Sequence, residues 1–184
     1  MNPISYLIAE FKRRRSAKGF GIHSPSAFKF VTEIVHSQYA YYAYTELIDH
    51  VPPGRNAGSL IHDALLLHRI AAYMIPEQFL IAGHRNGVLT EAVTKANSTT
   101  DVIHKPVATQ RKSLVFASHG DFSRTELERY LTTEGNILIL RGCKRCDILN
   151  LAGRLQTGII LIDSDIAIIL VSEKMQLCVY DVRL

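Results

Sequence analysis

The sequence is short of cysteine and of long apolar runs, and each shortage excludes something. Its three cysteines cannot pair off into a disulfide framework, so a reducing cytoplasm is the expected compartment. No apolar run is long enough to cross a bilayer; the longest, Gly158 to Val171, is broken by Asp163 and Asp165. A secretory leader is not expected either, because the first apolar stretch precedes the basic cluster and no small-residue cleavage site follows. Repeats and low-complexity segments are absent. What is there is 184 residues, 47% apolar and 21% charged, enough for one domain with a full core.

The net charge of +4 matters less than its placement. Lys12, Arg13, Arg14, Arg15 and Lys18 crowd together behind Ile4, Leu7, Ile8 and Phe11, whose i, i+3, i+4, i+7 spacing makes one stripe of a helix. Such a helix touches a membrane surface or nucleic-acid phosphates, or it docks on the domain and turns a solvated basic end outward. The second reading is the simpler, since a lone charge run is weak evidence of a ligand. Gly19 and Gly21 end this helix, and His23-Ser24-Pro25 starts another, with Ser24 as cap and Pro25 at the first helical position. Its apolar face is Phe28, Val31, Ile34 and Val35. Tyr39, Tyr41, Tyr42 and Tyr44 are expected to pack these helices on the main body rather than to stack on bases. Val51-Pro52-Pro53-Gly54 is a break, and Ser59 to Met74 is a well-buried helix. His62 and His68 on that helix do not have the spacing of a metal pair.

From Gln78 the rhythm changes. Short apolar runs at 79–82, 101–104, 114–117, 137–140, 159–162 and 166–171 alternate with helical stretches at 89–96, 125–132 and 146–155. Buried strands alternating with helices predict a doubly wound α/β fold with a mostly parallel sheet. Only Asp163-Ser164-Asp165 separates the last two runs, so they form an antiparallel hairpin, and Leu177 to Val182 adds a further strand. Residues 1–74 read as a helical lead-in and 75–184 as the sheet domain. Ser123 and Glu126 have the spacing of a capping box.

Open parallel sheets bind ligands at the carboxyl ends of their strands. The first strand ends in Gly83-His84-Arg85-Asn86-Gly87, where glycines allow a tight turn ahead of a helix N-terminus. Four segments then resemble a group of bacterial class I S-adenosylmethionine-dependent methyltransferase-like proteins. They are Lys18 to Pro25 with its Gly-Ile-His-Ser-Pro signature, the tyrosine-rich Tyr41 to Glu46, the Leu67-to-Tyr73 helix running into Phe79 to Gly83 and Gly87, and the tail from Thr157 to Leu184. The resemblance implies a Rossmann-like sheet preceded by N-terminal helices, with S-adenosylmethionine held by Gly83, His84, Arg85, Asn86, Gly87, His104 and Ser118. The family's acids are missing, however. Ile81 stands where the first strand carries one, His104 where one grips the ribose, Ser118-His119 closes the next strand, and Arg141 stands where paired acids belong. An imidazole lacks a carboxylate's paired acceptors. Between 104 and Leu114 the chain is too short for the family's helix, strand and helix, so the fold is reduced by one βα unit. The gained His84, Arg85, His104, His119 and Arg141 make a cationic site, unsuited to a sulfonium and suited to an anion.

Cys143-Lys144-Arg145-Cys146 is a C-x-x-C without a second ligand pair for zinc. As a redox motif it would gain from Lys144 and Arg145, which lower a thiol pKa. His84, His104 and His119 at strand ends are the one candidate for a three-imidazole zinc site, and no metal is expected. No catalytic residue stands out. The reading is a pseudoenzyme on the methyltransferase fold, with weak or absent methyl transfer, acting as a binding or assembly module. The alternatives are an active S-adenosylmethionine-dependent methyltransferase on an unknown small molecule, or an anion or nucleic-acid binder using the basic helix. Loss of the βα unit leaves a free sheet edge at the second strand, an invitation to form a homodimer.

Overall fold

A computed structural model describes Arg15, Lys18, Gly19 and residues 21–37, 39, 41–82, 87–107 and 110–184. The expected helix around Ile4 to Phe11 lies outside the described residues, with most of the basic cluster. The first described helix, α1, spans Pro25–Lys29. Ser24 caps it as expected, its hydroxyl accepting from the Ala27 amide at 3.4 Å, and Pro25 opens it. The chain then widens into a π-helical turn over Phe30–Val35, which carries the apolar face into the core. Next come α2 (Ala43–Asp49) and α3 (Ala57–Met74).

Seven strands follow: β1 (Gln78–Ile81), β2 (Asp101–Ile103), β3 (Ser113–Ser118), β4 (Ile137–Arg141), β5 (Thr157–Ile162), β6 (Ile166–Gln176) and β7 (Cys178–Asp181). Helix α4 (Gly87–Ala96) joins β1 to β2. Helix α5 (Arg124–Glu128), extended by a 3-10 turn over Arg129–Thr132, joins β3 to β4, and α6 (Arg145–Ala152) joins β4 to β5. The sheet order is β2-β1-β3-β4-β6-β5-β7. β2, β1, β3 and β4 are mutually parallel, β6 enters antiparallel to both β4 and β5, and β7 returns parallel to β5. This is a Rossmann-like, mostly parallel sheet with a C-terminal antiparallel hairpin, the fold class expected.

Strict alternation along the strands explains the two layers. Phe79, Ile81, Leu114, Phe116, Ile137, Ile139, Ile159 and Leu161 face the layer of α1, α3 and α4. Leu80, Val115, Leu138, Leu140, Ile160 and Ile169 face α5 and α6. A period of two on strands buried on both sides gives continuous apolar runs, which is why the sequence reads as unbroken there. The N-terminal helices share one core with the sheet, and α2 is also clasped to α4 through Lys95 with Glu46 and His50 with Glu91.

The crossover from β2 to β3 runs through residues 104–112 with neither helix nor strand among the described residues. Tyr130 ties this crossover to the 3-10 turn after α5. Its hydroxyl accepts from the Val107 amide at 3.1 Å and donates to the Val107 carbonyl at 3.3 Å, and the ring is 2% exposed. Below it Asn136 accepts from the Ser113 amide at 2.7 Å and donates to the Tyr130 carbonyl at 2.8 Å. The shortened side of the sheet is thereby pinned by one phenol and one amide. β2 is an edge strand, but a short one, which limits what a second copy gains by pairing with it.

Among the described residues, one non-glycine residue has a positive φ. Ile75, at the C-terminus of α3, adopts φ 49 with its side chain 64% exposed. A β-branched residue in the left-handed region costs about 1–2 kcal/mol, and glycine or asparagine relieves it. Ile75→Asn is expected to raise stability by about 1 kcal/mol in urea unfolding, because little apolar burial is lost with the exposed side chain.

Candidate functional site

Strand order reverses around β1: the chain leaves it for β2 on one side and returns to β3 on the other. The crevice at the carboxyl ends of β1 and β3 is therefore where such a sheet holds a ligand. Gly83, His84, Arg85 and Asn86, which follow β1, lie outside the described residues. Gly87 begins α4, and a side chain there would meet nothing within 4 Å, so no close packing demands a glycine.

His104 lies just past β2, exposed, and its Nδ1 donates to the Ile81 carbonyl at 3.1 Å. Ile81 itself is 0% exposed and belongs to the core, so the first strand brings no polar group to the crevice at that position. Ser118 ends β3 with its amide donating to Asp121 Oδ2 at 2.7 Å, and the chain turns at Gly120 with φ 89. His119 donates its amide to the Arg141 carbonyl at 2.9 Å, binding the β3 and β4 ends together. His104 and His119 are not brought into a metal site: among the described residues no group of three His, Cys, Asp or Glu is placed to hold one.

Arg141 corrects the expected electrostatics. It is not a cation offered to an anion. Its Nε donates to both Asp63 oxygens, at 3.0 and 2.9 Å, and its Nη1 to Asp165 Oδ2 at 2.6 Å. Asp63 comes from α3 with its side chain 8% exposed, and Asp165 from the β5–β6 loop. Burial opposes the charge on Arg141, but the two carboxylates more than offset it and hold the guanidinium pKa above its usual value. At the end of β4 the Arg141 charge is thus met by carboxylates from α3 and from the hairpin loop; His84 and Arg85 of the expected cationic set lie outside the described residues. A charge on the buried side of a helix otherwise apolar, as Asp63 is, was the available signal: it requires a cation.

The thiol expectation is corrected as well. Cys143 is half-buried, and burial, followed by Asp147, Asp121 and Asp165, pushes its pKa up rather than down. Arg145 is committed to Asp181, and Lys144 is the residue before α6. Cys143 donates weakly to the Arg141 carbonyl at 3.6 Å, and Cys146 stands exposed. The Cys143 thiol is thus held toward its neutral form rather than activated, and the Cys146 thiol donates weakly to Asp147 at 3.7 Å.

The tyrosines divide. Tyr41 and Tyr44 pack edge-on against His68 of α3, at ring centroids 5.1 and 5.6 Å away, as expected for packing. Tyr39 and Tyr42 project into solvent instead. His68 is 4% exposed, and its Nδ1 has no partner among the described residues. Burial, then Arg69, lowers its pKa; burial also lowers that of His36, against a bond to the Arg183 backbone and the Asp163 charge, while Arg69 and His62 add to the lowering.

No family model matches the chain, and no curated protein matches it. Among solved structures, it is similar to the one described as the pyocyanin biosynthetic protein PhzM. The likeness has a TM-score of 0.35 and 12% identity, over 91% of this chain and 76% of that one. A likeness that loose carries no argument about fold or activity. No helix among the described residues is long and apolar enough to cross a membrane.

Two outcomes follow from the site. Asp63→Asn leaves Arg141 largely buried with one exposed partner, and should cost about 3 kcal/mol in chemical unfolding, as removal of one member of a buried pair does. The histidines set a pH dependence. In the unfolded chain they titrate near 6.5, and in the folded protein lower, so between those values the unfolded state holds more protons. Stability should therefore fall as pH drops through about 6.5 and level off below the folded values. The double variant His36→Asn, His68→Phe should lose less stability than the parent between about pH 7 and about pH 5 in urea titrations.

Proposed function

We propose that this chain is a binding protein built on a methyltransferase-like frame, with weak or no methyl transfer. The observation that carries this reading is the chemistry of the strand ends. Where the resemblance calls for acids that grip S-adenosylmethionine, β1 ends in a core isoleucine and β2 in a histidine tied to the β1 backbone. β4 ends in an arginine whose guanidinium is occupied by Asp63 and Asp165. A ribose needs a free acceptor pair, and a sulfonium gains most from uncompensated negative charge. The carboxylates that approach these strand ends are spent on Arg141 and on the Ser118 amide.

The hairpin that inserts β6 between β4 and β5, and the terminal strand β7, support the frame, since the resemblance implies both. The alternative of an anion or nucleic-acid binder works through the basic N-terminal helix, most of which lies outside the described residues; within the sheet, the cation Arg141 is taken by ion pairs. Isothermal titration of the full chain with S-adenosylmethionine and with S-adenosylhomocysteine tests the reading. Dissociation constants weaker than about 1 mM for both are expected, because binding at that level supplies only about 4 kcal/mol. Micromolar affinity for either would restore the active-methyltransferase alternative.

A further inference from the structure

On the opposite side of the sheet from α3, the carboxyl ends of β3 and β4 open into a cleft of about 320 Å³ between α5 and α6. Its depth is apolar: Leu140 from β4, Leu127 from α5, and Ile148 and Leu151 from α6. The walls are braced. Arg124 Nε donates to Glu128 Oε1 at 2.7 Å within its own turn of helix, and its Nη2 reaches the Asn150 carbonyl of α6 at 2.8 Å. Arg154 adds a second tie to Glu128 at 3.3 Å. A cleft strapped open by an arginine spanning its two walls is a preformed cavity rather than a packing gap.

Its mouth has a sign. Cys143 and Asp147 both line it, and the thiol there is held neutral by burial and by Asp147, Asp121 and Asp165 acting together. Of the charged side chains lining the cleft, Arg124 is paired with Glu128, and Asp147 accepts a weak bond from the Cys146 thiol at 3.7 Å; His119 lines it too. A ligand entering meets one carboxylate, which matches a donor better than an anion. A flat ring fits an apolar slot between two helices, and a donor on that ring finds Asp147 at the entrance.

We propose that this cleft binds a small aromatic molecule carrying an amine or a similar hydrogen-bond donor, with the ring between α5 and α6 and the donor on Asp147. The cleft shares the end of β3, Ser118 and His119, with the crevice beside β1 but opens between α5 and α6, and the proposal does not require that crevice to hold S-adenosylmethionine.

The composition supplies a clean test. The chain has no tryptophan, so indole fluorescence reports a ligand alone. Tryptamine, indole and indole-3-acetate share one ring and differ in charge. Fluorescence anisotropy with the full chain should rank tryptamine first, indole about fivefold weaker and indole-3-acetate weaker still, the size expected for a partly exposed charge contact. Asp147→Asn should bring tryptamine to within about twofold of indole. In a Cys146→Ser, Cys178→Ser background, tryptamine should slow alkylation of Cys143 by N-ethylmaleimide, and the alkylated protein should no longer bind it. Equal affinity for the three probes, or binding that survives alkylation of Cys143, would overturn the proposal. So would displacement of tryptamine by S-adenosylhomocysteine, which would make the cleft part of a nucleoside site.

Discussion

The guanidinium of Arg141 is the point on which the carboxyl edge of the sheet is organised. It joins three elements that are far apart in sequence: α3 through Asp63, the β5–β6 loop through Asp165, and β4 through its own backbone. Its carbonyl takes the His119 amide, and Gly142 beside it donates to the Asp165 carbonyl. Such a group is expensive to bury and is tolerated only with its partners in place. Once Asp63 and Asp165 are fixed on it, neither is left to meet a ligand, and the crevice loses a cation and two anions together.

That constraint shapes both functional readings. Among the described residues on the β1 side, polar groups are engaged within the chain: His104 with a backbone carbonyl, Asp121 with the Ser118 amide, Arg141 with its carboxylates. Structural bonds consume the chemistry that a cofactor would need. On the α5 and α6 side the polar groups brace the walls and leave an apolar slot between them. The ends of β3 and β4 thus serve two faces with different capacities, one closed by ion pairs and one held open by an arginine.

The crossover from β2 to β3 shows no helix or strand among the described residues, and Tyr130 packs against it and satisfies both backbone groups of Val107. Asn136 does the same for the Ser113 amide and the Tyr130 carbonyl. Buried backbone polar groups must be paired, and a short crossover without regular structure is tolerated when side chains from neighbouring elements take over the pairing.

The sequence alone determined the strands, the layers and the hairpin, because burial on both sheet faces writes itself as short apolar runs and because a three-residue gap leaves no other way to connect 162 to 166. It also determined the Ser24 and Ser123 caps, which depend on residues within one helical turn. What it could not decide were partners brought together across long separations. Asp63 and Arg141 are 78 residues apart, so the expected free cation became an ion pair only when α3 packed on the sheet. Lys144 and Arg145 flank Cys143 in sequence, yet burial first, and then Asp147 with the distant Asp121 and Asp165, pushes its thiol the other way. Charge is read from composition, but the field at a site is set by which charges the fold places within a few ångströms, and that only the tertiary structure decides.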